Sequence, residues 1–146
     1  MASRRKGRIL AFQALYSWEA GGRKTAPEDL LDFSWLGAEK QAGLDEGTAV
    51  FSRLLITGTI ENIAEVDAMI RSRLQNWDFS RVNRVDLAVL RLSAYTLMFQ
   101  RDMSPSIVIN EAIGIAKEFG TDNSYRFVNG VLDSIRRTLW EEPNPP

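Results

Sequence analysis

Arg81-Val82-Asn83-Arg84-Val85-Asp86-Leu87-Ala88-Val89-Leu90-Arg91-Leu92-Ser93-Ala94-Tyr95-Thr96-Leu97-Met98-Phe99-Gln100 is apolar on more than one side of a helix. At 3.6 residues per turn, Val85, Ala88, Val89 and Leu92 line one face, and Leu87, Leu90, Ala94 and Leu97 line the next. A surface that wide needs neighbours on several sides, so this segment predicts a central helix surrounded by others. The break before it is Asn76-Trp77-Asp78-Phe79-Ser80, with Ser80 as the expected N-cap.

The flanks carry the same period. Downstream, Ser104-Pro105 opens a helix with proline at its first position. Val108, Ile109, Ala112, Ile113, Ala116 and Phe119 follow, and Gly120 is the expected C′ residue. A last helix starts near Asp122 and carries Val128, Val131, Leu132, Ile135 and Leu139; the prolines at 143, 145 and 146 predict a frayed tail over 141–146. Upstream, Ser3 to Ala20 reads as a helix with Ile9, Phe12 and Tyr16 in register, closed by Gly21-Gly22. Pro27 opens a short helix with Leu30, Leu31, Phe33 and Trp35, and residues 37–44 read as a loop. From Asp45 to Gln75 runs one long amphipathic segment whose expected buried positions are Val50, Leu54, Ile60, Ile63, Met69 and Leu74. Gly58 in its middle predicts a bend or the close approach of another helix. No alternating run is bounded by hairpin residues. The expectation is all-α: a compact bundle of about seven helices in a single domain over 1–146.

Composition narrows the chemistry. The 146 residues are 45% apolar and 25% charged, an ordinary globular balance. Cysteine and histidine are both absent. Disulfides, thiol nucleophiles, the usual zinc sites and the Ser-His-Asp arrangement are therefore excluded. No phosphate-binding glycine loop or nucleophile elbow occurs. We expect no enzyme, no metal and no cofactor. No apolar run is long enough to span a membrane, and no secretory signal is legible, so the expected compartment is the cytoplasm.

Net charge is −1, but it is unevenly spread: residues 1–24 carry +5 and the remainder −6. The basic part holds Arg4, Arg5, Lys6 and Arg8, with no acid before Glu19. On a helix Arg4, Arg5 and Arg8 share one face, and guanidinium forks match phosphate oxygens. Gln13, Tyr16 and Trp18 follow; the two aromatics fit core positions at least as well as stacking platforms for single-stranded RNA. A second candidate is Asp122-Asn123-Ser124-Tyr125-Arg126-Phe127 at a helix start, where Phe127 lies off the main apolar stripe. Asp122 or Asn123 serving as a plain helix cap is the simpler account of that segment. The third is Val82, Asn83 and Asp86; Asp86 would pair with Arg84, Arg91 or a partner's base, against a default of a solvated surface charge.

Three blocks together resemble the NusB family of bacterial transcription antitermination factors. They are Ala11-Phe12-Gln13-Ala14-Leu15-Tyr16-Ser17-Trp18 after the Arg-rich start, Val85 to Tyr95, and Ile109-Asn110-Glu111-Ala112-Ile113 continuing through Gly120 to Phe127-Val128-Asn129-Gly130-Val131-Leu132-Asp133. The resemblance spans about residues 4–138, and residues 22–75 match in pattern only. It implies two packed three-helix subdomains with one extra short helix, and a non-enzymatic role. It implies binding of boxA-like single-stranded RNA as a heterodimer with NusE, the tenth small-subunit ribosomal protein. The complex would help RNA polymerase read through terminators, notably in ribosomal RNA operons. By position, Arg4, Arg5, Lys6 and Arg8 correspond to the family's RNA-binding segment. Gln13 and Tyr16 match family positions near the RNA and Phe127 matches an RNA-contacting aromatic; from the residues themselves, Asn123 and Arg126 are expected to join Phe127 at the RNA. Asp86 falls at the NusE interface, flanked by Val82 and Asn83. Family members often carry an acid where Asn123 stands, so this chain is expected to bind RNA with less dependence on its partner.

If the arm neutralises four phosphates, log K should fall with log salt at a slope of about −3. Two other readings compete: a stand-alone relative of the NusB-like module of RNA cytosine methyltransferases, and a helical protein scaffold with a free basic tail. Those enzymes work through a catalytic domain with a reactive cysteine, and this chain has no cysteine, so in the first reading it would be at most an RNA-delivery module. Monomer and homodimer both remain open.

Overall fold

The computed structural model describes residues 2–75 and 78–140. The Asn76-Trp77 part of the break and the tail at 141–146 lie outside the described residues. Among those described there are eight α-helices and no strand: α1 (Arg4–Ala20), α2 (Pro27–Leu31), α3 (Ala38–Ala42), α4 (Glu46–Glu61), α5 (Ile63–Ser72), α6 (Arg84–Phe99), α7 (Pro105–Phe119) and α8 (Ser124–Trp140). The all-α bundle is as expected. Two details differ: α3 occupies part of the expected loop at 37–44, and the long segment from 45 divides at Asn62 into α4 and α5.

α6 is central. It packs against α1, α4, α5, α7 and α8, and every residue from Asp86 to Leu97 is buried. Around it, α1 lies on α4 and α7 lies on α8, and one continuous core joins the two groups. No described helix is long and apolar enough to cross a membrane.

Helix ends follow side-chain chemistry, with two corrections. Ser80 does not cap α6; it lies in a 3-10 turn, Phe79–Arg81, and donates its N–H to Asp78 Oδ1 at 3.0 Å. Val82 is extended (φ −65°, ψ 127°), so the helix starts afterwards. Asn83 takes the cap: its Oδ1 accepts from Asp86 N–H at 2.8 Å, and its amide donates to Asp86 Oδ2 at 3.1 Å. Gly120 does end α7, but in extended backbone (φ −97°, ψ −167°). Glycine is needed there for space. A Cβ would meet Ser124 Cβ at 2.6 Å and the Ala116 carbonyl at 2.7 Å. Ser124 starts α8 and its hydroxyl accepts from Thr121 N–H at 2.9 Å, while the Asn123 carbonyl accepts from Phe127 N–H at 3.3 Å.

The buried face of α4 is not the expected one. Val50 and Leu54 are 54% and 48% exposed, while Thr48, Ala49, Ser52, Leu55, Ile56 and Thr59 are buried. Ile60, Ile63, Met69 and Leu74 are partly buried against the core. Small residues face inward because α1 and α6 approach closely: a Cβ on Gly58 would overlap the Tyr95 hydroxyl and ring. The close approach anticipated at Gly58 is therefore present.

Candidate nucleic-acid interface

The basic arm is the first turns of α1. Ser3 caps it by accepting from Lys6 N–H at 3.1 Å, and Ser3 N–H donates to Thr48 Oγ1 at 2.8 Å, fastening the arm to α4. Arg4, Arg5 and Lys6 are exposed and have no acidic partner among the described residues. The Arg4 guanidinium lies 4.6 Å from the centre of the Phe51 ring, a cation–π contact. Beside it, Val50, Phe51 and Leu54 line an apolar groove of about 290 Å³.

Arg8 departs from the expected shared solvent face. It is 8% exposed, and its Nη1 lies 3.5 Å from Glu111 Oε1 on α7, while Nη2 donates to Met103 Sδ at 3.6 Å. Burial pulls its pKa down, Glu111 opposes that shift, and the charge on Arg4 adds to it. Three exposed cations remain on the arm rather than four. The sequence signalled no acid near Arg8, because Glu111 is more than a hundred positions away. Its one local signal is its place between Ile109 and Ala112, both buried. Further along α1, Gln13 is half-buried, Tyr16 is 38% exposed and Trp18 is core. The two aromatics that the sequence left undivided thus take different environments.

The second and third candidate segments converge. Val82, Asn83 and Asp86 from the start of α6 and Asn123, Arg126 and Phe127 from the start of α8 line one cleft of about 630 Å³. Asn123 and Arg126 are exposed, and Phe127 is half-buried against the core. Arg126 Nε donates to the Tyr125 hydroxyl at 3.0 Å, and Lys117 Nζ lies 4.9 Å from the Tyr125 ring centre. The arm does not line this cleft.

Asp86 is not the solvated charge of the default reading. It is 5% exposed, one carboxylate oxygen is held by Asn83, and the other, Oδ1, is buried with no hydrogen-bond partner. A buried acceptor without a partner is costly, so this carboxylate is a strained feature beneath the cleft. Neither Arg84 nor Arg91 pairs with it. Arg91 binds Asp67 through two 2.8 Å hydrogen bonds and donates to Glu19 Oε1 at 2.6 Å, joining α6 to α5 and α1. Burial disfavours the charge on Arg91, but the bonds to Asp67 and Glu19 outweigh it and raise its pKa.

The NusB family model matches residues 5–137. The chain is 53% identical over 135 residues to the transcription antitermination protein NusB of Treponema pallidum (strain Nichols), covering 92% of this chain and 93% of that protein. It is 41% identical over 141 residues to its counterpart in Geobacter sulfurreducens, covering 95% and 97%. Among solved structures, it superposes on T. maritima NusB with a TM-score of 0.80 at 34% identity, over 94% of this chain and 93% of that one. It also superposes on a chain in the crystal structure of antitermination factors NusB and NusE in complex with double-stranded RNA, with a TM-score of 0.80 at 25% identity, over 92% and 96%. The match runs from the basic arm of α1 into α8 and covers nearly the whole of each relative: the chain belongs to the NusB family.

Proposed function

We propose that this protein is a non-catalytic transcription antitermination factor. It binds boxA-like single-stranded RNA together with NusE, and it acts within the RNA polymerase elongation complex in the cytoplasm, notably on ribosomal RNA operons. One observation carries the reading beyond family membership. Val82, Asn83 and Asp86 line one cleft together with Asn123, Arg126 and Phe127, which supports a partner surface adjoining an RNA surface. An aromatic beside a guanidinium at this edge suits an unstacked base, and the negative charge of Asp86 beneath the cleft suits a basic partner. Arg4, Arg5 and Lys6 add backbone attraction that carries no sequence information, and Gln13 and Tyr16 extend the α1 surface. Arg8 supports the arm from within rather than meeting phosphate.

Fluorescence anisotropy of labelled boxA-like RNA, with and without NusE, tests this. Binding should tighten with NusE. Arg4→Ala/Arg5→Ala/Lys6→Ala should abolish RNA binding and leave NusE binding intact. A variant that binds RNA like the parent would remove the arm from the RNA surface, and no RNA binding by the parent with or without NusE would leave a protein-binding helical scaffold as the better reading. A duplex of the same sequence, run in parallel, should bind more weakly, because its bases are not free to stack on Phe127.

A further inference from the structure

Beyond Phe127 the surface continues into a second cleft, of about 380 Å³, between residues 73–75, which follow α5, and the outer face of α8. Arg73, Arg126 and Arg137 line it, with Gln75 and Ser134 between them, and no carboxylate is among its lining residues. Arg126 and Phe127 belong to both clefts, so the two are continuous. Arg73 and Arg126 have no carboxylate partner among the described residues; Arg73 Nε donates to Ser72 Oγ at 3.1 Å, and Arg126 donates to the Tyr125 hydroxyl. Arg137 lies 3.1 Å from Asp133, an exposed pair one turn apart that Asp133 divides with Arg136. Such a pair is weak and easily exchanged for a phosphate. Three guanidiniums in a chain whose residues 25–146 carry a net −6 are a local reversal of charge.

We propose that this cleft is a second RNA-backbone track, taking the phosphates of the nucleotides that follow the base at Phe127. The proposal rests on the RNA-binding reading above and extends it: the bound RNA runs past boxA along α8. Guanidinium forks supply the phosphate contacts, and Gln75 and Ser134 can bond to ribose hydroxyls. The interaction reads backbone and not sequence.

The test uses the full chain with NusE and two labelled single-stranded RNAs, boxA-like alone and boxA-like extended by about six uridines at either end. The parent protein should bind one extended RNA more tightly than the short one. Arg73→Ala/Arg137→Ala should remove that advantage, weakening the extended RNA roughly tenfold at low salt and reducing its salt slope by about 1.4. Its affinity for the short RNA should not change. Lys24→Ala/Lys40→Ala, the same change in net charge away from the cleft, should leave the advantage in place. Equal affinities of the parent for short and extended RNA, or an arginine variant indistinguishable from the parent, would overturn the track and leave the boxA reading standing. Absence of binding to either RNA would overturn both.

Discussion

Gly58 and Gly120 are glycines because other atoms occupy the space a side chain would need. At Gly58 the intruder is Tyr95, whose hydroxyl also accepts from Gln100 Nε2 at 3.0 Å and whose ring stacks on Phe99. Gly58→Ala gains about 1 kcal/mol of helix propensity but overpacks the α4–α6 contact at a cost of about 1–3 kcal/mol. The expected result is net destabilisation in urea denaturation; a more stable variant would mean that Tyr95 moves aside freely. Asn123 is an exposed residue of a different kind, next to Arg126 in the cleft. Asn123→Asp should weaken RNA binding without NusE by about fivefold, the effect of one charge near a phosphate in water, and by less when NusE is present. Unchanged affinity at fixed salt would remove the idea that Asn123 reduces dependence on the partner.

At the scale of elements, the arm is held at two points: Ser3 to Thr48 on α4, and Arg8 to Glu111 on α7. The first turns of α1, residues 4–8, are thus fastened by tertiary contacts. Glu111→Gln would leave the Arg8 charge buried and uncompensated, at a cost of about 1–3 kcal/mol. Hydrogen exchange should show the amides from Gly7 to Leu10 losing protection before the rest of the bundle. Protection falling evenly across all helices would assign Glu111 to global stability instead. α4 teaches the complementary lesson. Val50 and Leu54 are the expected buried face, yet Leu55 and Ile56 are the large residues that go inward, with Thr48, Ser52 and Thr59 beside them. Apolar periodicity locates a helix well and its buried face less well when small residues make the contact.

Across the whole molecule, Glu19, Asp67 and Arg91 tie α1, α5 and α6 together, with Arg23 3.1 Å from Glu19. Partial burial acts to raise the Glu19 pKa, but the hydrogen bonds from Arg91 and Arg23 outweigh it, and the net shift is downward from 4.5. A depressed folded-state pKa stabilises the fold above the unfolded value, and that stability is lost as pH falls through the folded value. Glu19→Gln should therefore cost about 1.5–3 kcal/mol near neutral pH, and the difference from the parent should shrink below about pH 4.5. Urea midpoints measured from pH 3 to 7 check this; a gap that stays constant would place the effect outside ionisation. The arm also has a molecular consequence. With Arg8 turned inward, three exposed cations predict a salt slope near −2 for the arm alone, smaller than the value of about −3 that four free cations would give.

The sequence alone determined the all-α class, the positions of α1, α6, α7 and α8, the centrality of α6, the proline start of α7 and the family, because periodicity, proline at a first turn and ordered motifs are local properties of the chain; it missed α3 and the break between α4 and α5. It also located the arm and the Asn123–Phe127 segment as separate candidates. Only the tertiary structure decided that Arg8 is buried, that Asp86 keeps one oxygen unpaired, that α4 turns its small residues inward, and that the α6 and α8 segments share a cleft while the arm stands apart from it. Each of these depends on partners distant in the chain: Glu111 for Arg8, Tyr95 for Gly58, and Val82 and Asp86 for Phe127. Local pattern sets which residues can lie on one face of one helix; packing between helices sets which faces meet.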